Sequence, residues 1–161
     1  MNVLFSLEFS AQAIPERHCR YNGVLRFNNP EGSLMAIFTH VVLGTNDLEK
    51  ATRFYDATLG TLGVKRIAPL GEKAFMYGKE SPEFMITLPR NGKPANHANG
   101  GTVGFVAPSR KAVHDFHKAG LANGGTDEGL PGTRDILPNA YAAYLRDPDG
   151  NKICTYCFAK E

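Results

Sequence analysis

The chain has 161 residues, of which 42% are hydrophobic and 21% charged. That is enough apolar material for one buried core and too little length for two ordinary domains. Eighteen Lys and Arg against sixteen Asp and Glu leave a net charge of +2, without the basic excess that holds a nucleic-acid backbone. No apolar run approaches the ~20 residues of a membrane span, and the first residues lack the basic and apolar regions of a secretion signal. Three cysteines, Cys19, Cys154 and Cys157, are an odd count in a chain that needs no covalent staple, which fits a reducing compartment. A cytoplasmic protein with neither nucleic-acid nor membrane partner is expected.

Residues 1–34 show no helical period and end in the breaker cluster Asn28-Asn29-Pro30-Glu31-Gly32-Ser33. Alternation at Val3, Phe5, Leu7 and Phe9, with Asn22-Gly23 as a two-residue turn, allows an added strand or hairpin. The plainer expectation is a loosely ordered N-terminal extension before a single domain at 35–161. From Ile37 to Leu43 apolar residues occupy both faces of a strand. Asn46, with Glu49 three residues later, predicts a capped helix start. Leu48, Ala51, Phe54, Tyr55, Leu59 and Leu62 then form one helical stripe that closes at Gly60 and Gly63. Strands are expected at 64–68, 73–77 and 84–88.

The polar stretch 89–100 reads as a linker. A strand at 101–107 follows, then Ser109 as a cap and a helical face of Val113, Phe116, Ala119 and Leu121 ending at Gly124-Gly125. Residues 131–134 are expected as a loop, in which Arg134 is read first as an exposed loop arginine and second as a partner for a carboxylate ligand at the cleft mouth. A strand at 140–146, the turn Asp147-Pro148-Asp149-Gly150-Asn151 and a strand at 152–158 complete the chain.

The two halves repeat. An offset of 62 takes Val41 to Val103, Leu43 to Phe105, Phe54 to Phe116, Leu59 to Leu121 and Gly63 to Gly125. A shift of 68 pairs Ile86-Thr87 with Cys154-Thr155, in a register open to a one-residue error. The repeated unit is strand, helix and three strands, with modules at about 36–88 and 101–158.

Thr39-His40-Val41-Val42-Leu43-Gly44, Asp47-Leu48-Glu49-Lys50-Ala51, Arg53-Phe54-Tyr55 and the closing run Arg146 to Lys152 resemble the vicinal oxygen chelate superfamily. That group includes glyoxalase I, bleomycin-resistance proteins and extradiol dioxygenases. The resemblance implies an α+β fold of two tandem βαβββ modules, with curved sheets around a cleft, and a homodimer. It also implies that functional groups come from the first and last strand of each module, here His40, Thr102, Ile86 and Cys154. Strand parity supports part of this mapping, because His40 must project opposite to Val41 and Leu43 if those pack under a helix. Thr102 stands likewise beside Val103, and Cys154 beside Ile153.

The chemistry of this set is thin. A catalytic zinc, iron or nickel centre ordinarily uses three protein donors, commonly imidazoles and a carboxylate. Only His40 and Cys154 qualify as metal ligands, with His97, Tyr141 and Tyr144 as candidate additional donors or pocket-lining groups. Without a divalent metal, His40 remains a candidate catalytic base near neutral pH. The expected function is binding of a small organic molecule in the cleft with a degenerate metal site. The alternative is a metal-dependent lyase, isomerase or dioxygenase of the glyoxalase I type. Cys154 and Cys157 lie three apart on a strand, hence on opposite faces, which disfavours a dithiol. His114 and His117 are expected on a solvated helix face.

Overall fold

The computed structural model describes residues 38–160. The N-terminal extension expected at 1–34, with Cys19, lies outside the described residues.

Ten elements follow in chain order: β1 (Val41–Gly44), α1 (Leu48–Gly60), β2 (Lys65–Pro69), β3 (Ala74–Gly78), β4 (Phe84–Thr87), β5 (Val103–Val106), α2 (Arg110–Ala122), β6 (Thr126–Thr133), β7 (Tyr141–Arg146) and β8 (Lys152–Cys157). They form two four-stranded sheets of identical order, β1-β4-β3-β2 and β5-β8-β7-β6. In each sheet the first strand pairs parallel with the last, and the remaining pairs are antiparallel. This is the expected α+β fold of two βαβββ modules with curved, open sheets. The offset of 62 holds to the residue: β1 and α1 begin at 41 and 48, β5 and α2 at 103 and 110.

Each helix starts where a side chain caps it. Asp47 accepts from the Lys50 amide at 3.0 Å, and Ser109 accepts from the Ala112 amide at 3.1 Å. The first cap is therefore Asp47 and not Asn46. Asn46 is drawn instead into bonds with Ala95 and Asp149. The α1 stripe buries Ala51, Phe54, Tyr55 and Leu59 as its spacing predicts. On α2 the buried stripe is Ala112, Val113, Phe116, His117 and Gly120. Leu121 is 45% exposed, because it sits one position past the stripe that Gly120 completes. The segment 131–134, expected as a loop, lies largely in β6. An edge strand tolerates Pro131 and the two register shifts around Gly129, since only one side of it must pair.

One core spans both modules. Tyr55 contacts Phe84, Phe84 meets Phe105 edge to face at 5.4 Å between ring centres, and Phe105 meets Phe116. The helices also pack on one another. Gly120 allows that approach, since a β-carbon there would stand 2.2 Å from Leu145 Cδ1 and 3.3 Å from Thr58 Cγ2.

Candidate functional site

Side chains alternate across a strand, so each sheet has a face packed on the helices and an open face. Val41, Leu43, Phe84, Ile86 and Tyr77 belong to the core face of the first sheet. The register then assigns Val42, Met85, Thr87 and Met76 to its open face, and His40 stands one residue ahead of β1. In the second sheet Val103, Phe105, Ile153, Leu145, Ala143 and Tyr141 pack with the core. Gly104, Val106, Lys152, Cys154, Tyr156 and Tyr144 share the open face, and Thr102 stands one residue ahead of β5. A β-carbon on Gly104 would lie 3.4 Å from Cys154 Sγ, which fixes that sulfur on the same side.

Two candidate residues move off the open faces. Ile86 is 1% exposed in the core. Val41 pairs with Phe84, and its counterpart Val103 pairs with Ile153. The late offset is therefore 69 (153 less 84) and not 68. A one-residue slip exchanges the faces, so the true counterpart of Cys154 is Met85. Tyr141 also faces the helices. Its hydroxyl is 2.7 Å from His114 Nε2, and Arg110 lies 5.0 Å from its ring centre. Tyr144 and Cys154 occupy open-face positions, whereas His40 and Thr102 precede the first strands of their sheets. His40 is exposed, with its Nδ1 3.1 Å from the Thr39 hydroxyl.

Burial pushes the Cys154 thiol up to about 11, against an opposing pull from the Lys152 charge. This thiol is 5% exposed and stays protonated at neutral pH. The four equivalent positions thus hold an imidazole, a hydroxyl, a thioether and a thiol. With one imidazole, one sulfur that could become a thiolate and no carboxylate, such a set falls short of the three protein donors that a zinc, iron or nickel centre ordinarily uses. Among the described residues, no group of three or more His, Cys, Asp and Glu side chains could hold a metal ion. His97 packs against Gly150, where a β-carbon would stand 2.7 Å from its Nδ1. His117 is buried, its Nε2 2.7 Å from Asp127 Oδ1. The expectation of a solvated histidine pair therefore holds only for His114. Cys154 and Cys157 are free thiols on opposite faces.

The richest part of the open surface is a cluster that residue types alone had only touched. Tyr144 and Tyr156 stand edge to face with their hydroxyls hydrogen-bonded, and Tyr156 stacks on Phe158 at 5.6 Å. The Arg134 guanidinium lies 5.4 Å and the Lys152 ammonium 5.2 Å from the Tyr144 ring centre. Glu128 takes two bonds from Arg146, at 2.7 and 3.1 Å, which hold its carboxyl below the usual range. Tyr156 was legible once Cys154 was on the open face, since it lies two residues further along the same strand. Elsewhere, a groove of about 360 Å³ runs between the edges of β1 and β5, lined by Val41, Tyr77, Phe84, Val103, Phe105 and Val106. None of the candidate site residues lines it.

The paired modules and their open faces define a glyoxalase-type protein, and sequence comparison agrees. The Glyoxalase/Bleomycin resistance protein/Dioxygenase superfamily matches residues 37–155, and the chain belongs to it. A glyoxalase/bleomycin resistance protein from Albidiferax ferrireducens is 50% identical, with a TM-score of 0.69 over 76% of this chain and 98% of that one. Two more distant structures share the fold. The fosfomycin resistance protein FosX of Mesorhizobium loti is 13% identical, with a TM-score of 0.55, over 77% of this chain and 93% of its own. The lactoylglutathione lyase of Agrobacterium tumefaciens is 20% identical, with a TM-score of 0.52, over 80% and 95%. No curated protein matches the chain. Among the described residues, no helix is long and apolar enough to cross a membrane.

Proposed function

We propose that this protein binds a small organic molecule on the open faces of its paired sheets, and that the metal position of its superfamily is degenerate. The observation that carries this reading is the donor set itself. The positions equivalent by the internal repeat are His40, Thr102, Met85 and Cys154, with one good ligand among them. A binding role uses what these faces do offer, exposed apolar groups such as Val42 and Val106 beside a few polar side chains. Homodimerisation is part of the same reading, because β1 and β5 are edge strands of their sheets. The enzymatic alternative, a metal-dependent lyase, isomerase or dioxygenase, draws its support from the exposed imidazole of His40.

The test is elemental analysis of protein purified without chelators, alongside a small-molecule panel read by thermal shift. Saturable stabilisation by an organic compound in protein holding less than stoichiometric metal is expected. Stoichiometric zinc, iron or nickel, lost in both His40→Ala and Cys154→Ala, would overturn the reading in favour of the enzyme. Light scattering of the same samples reads the subunit count, and a monomer at all concentrations would remove the dimer.

A further inference from the structure

Resting on the ligand-binding reading above, we propose that the open face of the second sheet selects a planar aromatic molecule carrying a carboxylate. Three features converge there. The rings of Tyr144, Tyr156 and Phe158 form a continuous aromatic surface, with Phe158 47% exposed. Such rings offer a planar ligand offset or edge contacts.

Two of the three cations at this surface keep donors to spare. Among the described residues Glu128 is the acid paired at this surface, and Arg146 binds it with two nitrogens while giving its third to the Gly150 carbonyl. Lys152 reaches Glu128 only at 3.7 Å, leaving most of its three donors for other acceptors. Arg134 donates to the carbonyls of Leu130 and Thr133. Those two bonds hold the guanidinium over Tyr144 and leave three of its five N–H groups available. Neither bond neutralises its charge. With Arg146 and Glu128 paired, Arg134 and Lys152 leave, among the described residues, an excess of positive charge beside a ring surface.

The tyrosine pair adds direction. Two hydroxyls carry two protons, and their mutual bond uses one. The other proton faces no further partner among the described residues and can be donated to a ligand oxygen. A carboxylate on an aromatic ring matches all three features: a flat body for the rings, planar oxygens for a guanidinium fork, and an acceptor for the phenol. A cationic ligand would meet Arg134 and Lys152 at like charge. An aliphatic acid would forgo the rings.

The experiment titrates the full-length protein with naphthalene-2-carboxylate, following tyrosine resonances by NMR and heat by calorimetry. Naphthalene-2-carboxamide, 2-naphthylmethylamine and cyclohexanecarboxylate serve as comparisons. The expected result is saturable binding of the naphthoate with shifts at Tyr144 and Tyr156, and about tenfold or greater weakening for each comparison compound. Arg134→Gln should weaken the naphthoate by a similar factor and leave the carboxamide unchanged. Replacing both Tyr144 and Tyr156 by Phe, which removes both phenolic protons and keeps the rings, should weaken it while the backbone amide spectrum stays that of the folded protein. Equal binding of acid and amide, or shifts confined to other residues, overturns the proposal while leaving the broader binding reading intact. No binding of any of the four overturns it as well. The broader reading fails separately, through stoichiometric metal lost in both His40→Ala and Cys154→Ala.

Discussion

The hydroxyl of Tyr55, on the first helix, donates to the carboxylate of Asp147, in the turn between β7 and β8, at 2.7 Å across the two modules. The same carboxylate accepts from the amides of Asp149 and Asn151 and from the Asn151 side chain. Asn151 in turn donates to the Gly44 carbonyl, and Asp149 accepts from Thr45 and Asn46. A loop whose Asp-x-Asp-Gly-Asn spelling suggests cation chelation spends its oxygens on protein donors instead. Removing Asp147 strands several buried donors at once, whereas removing the Tyr55 hydroxyl strands one group. Tyr55→Phe should cost about 1–2 kcal/mol and Asp147→Ala about 3 kcal/mol or more. Urea unfolding of both single variants and the double variant measures this. Additive losses would show that the two groups are not coupled.

Gly120 and Gly125 close the seam between the helices and β7, and their substitution should be graded. At Gly120 a β-carbon meets the end of the Leu145 side chain, which can shift at a cost, so Gly120→Ala should lose about 1–3 kcal/mol. A Leu145→Val change in that background should return part of the loss. At Gly125 the nearest atoms include the Arg146 carbonyl at 2.8 Å and the Gly120 carbonyl at 3.0 Å. Backbone cannot step aside as a side chain does, so Gly125→Ala should be the more damaging change by thermal unfolding. Equal midpoints would contradict this account.

Two buried tyrosines predict sensitivity to alkali. Burial, reinforced by Asp147, raises Tyr55 well above its ordinary value, and burial with Asp56 does the same for Tyr77. Both groups keep their protons in the folded state while the unfolded chain ionises near pH ~10. Their contribution is therefore whole below that pH and is lost as pH rises above it, by about 1.4 kcal/mol per unit for each tyrosine. Tyr55→Phe should flatten this slope by one tyrosine's share in denaturant titrations between pH 9 and about 11.5. An unchanged slope would mean that Tyr55 does not carry it.

Thiol chemistry gives a check on the open face. Cys154 is nearly covered, with its thiol held at about 11, and Cys157 is buried in the core. In a Cys19→Ser background, neither should react with an aromatic disulfide reagent at pH 8 until denaturant is added. One thiol reacting in native protein at the rate of a free cysteine would contradict the burial of Cys154.

The fold was legible because its information is periodic. The helical stripe of α1, the Ser109 cap and the 62-residue repeat are all local spacings. What depended on pairing between distant strands was not legible. Ile86 and Met85 differ by one position, and only the alignment of β4 against β1 decides which of them faces the helices. Tyr141 and Tyr144 differ by three positions on a strand, hence in face, and only burial against α2 separates their roles. Gly63 and Gly125 match in the repeat for different reasons. Gly63 adopts a φ of +75°, whereas in the second module Gly124 takes that role at +93° and Gly125 yields space to backbone.

The bonds from the β7–β8 turn to the first module join residues 92 to 107 positions apart in sequence. A growing polypeptide emits the whole first sheet and its helix long before the clasp that holds them exists. Loop closure of that span must precede the reward, which slows assembly and makes it cooperative. The first half, released by itself, should behave as a partner awaiting its complement, and its folding should begin in earnest only when Asp147 to Asn151 arrive.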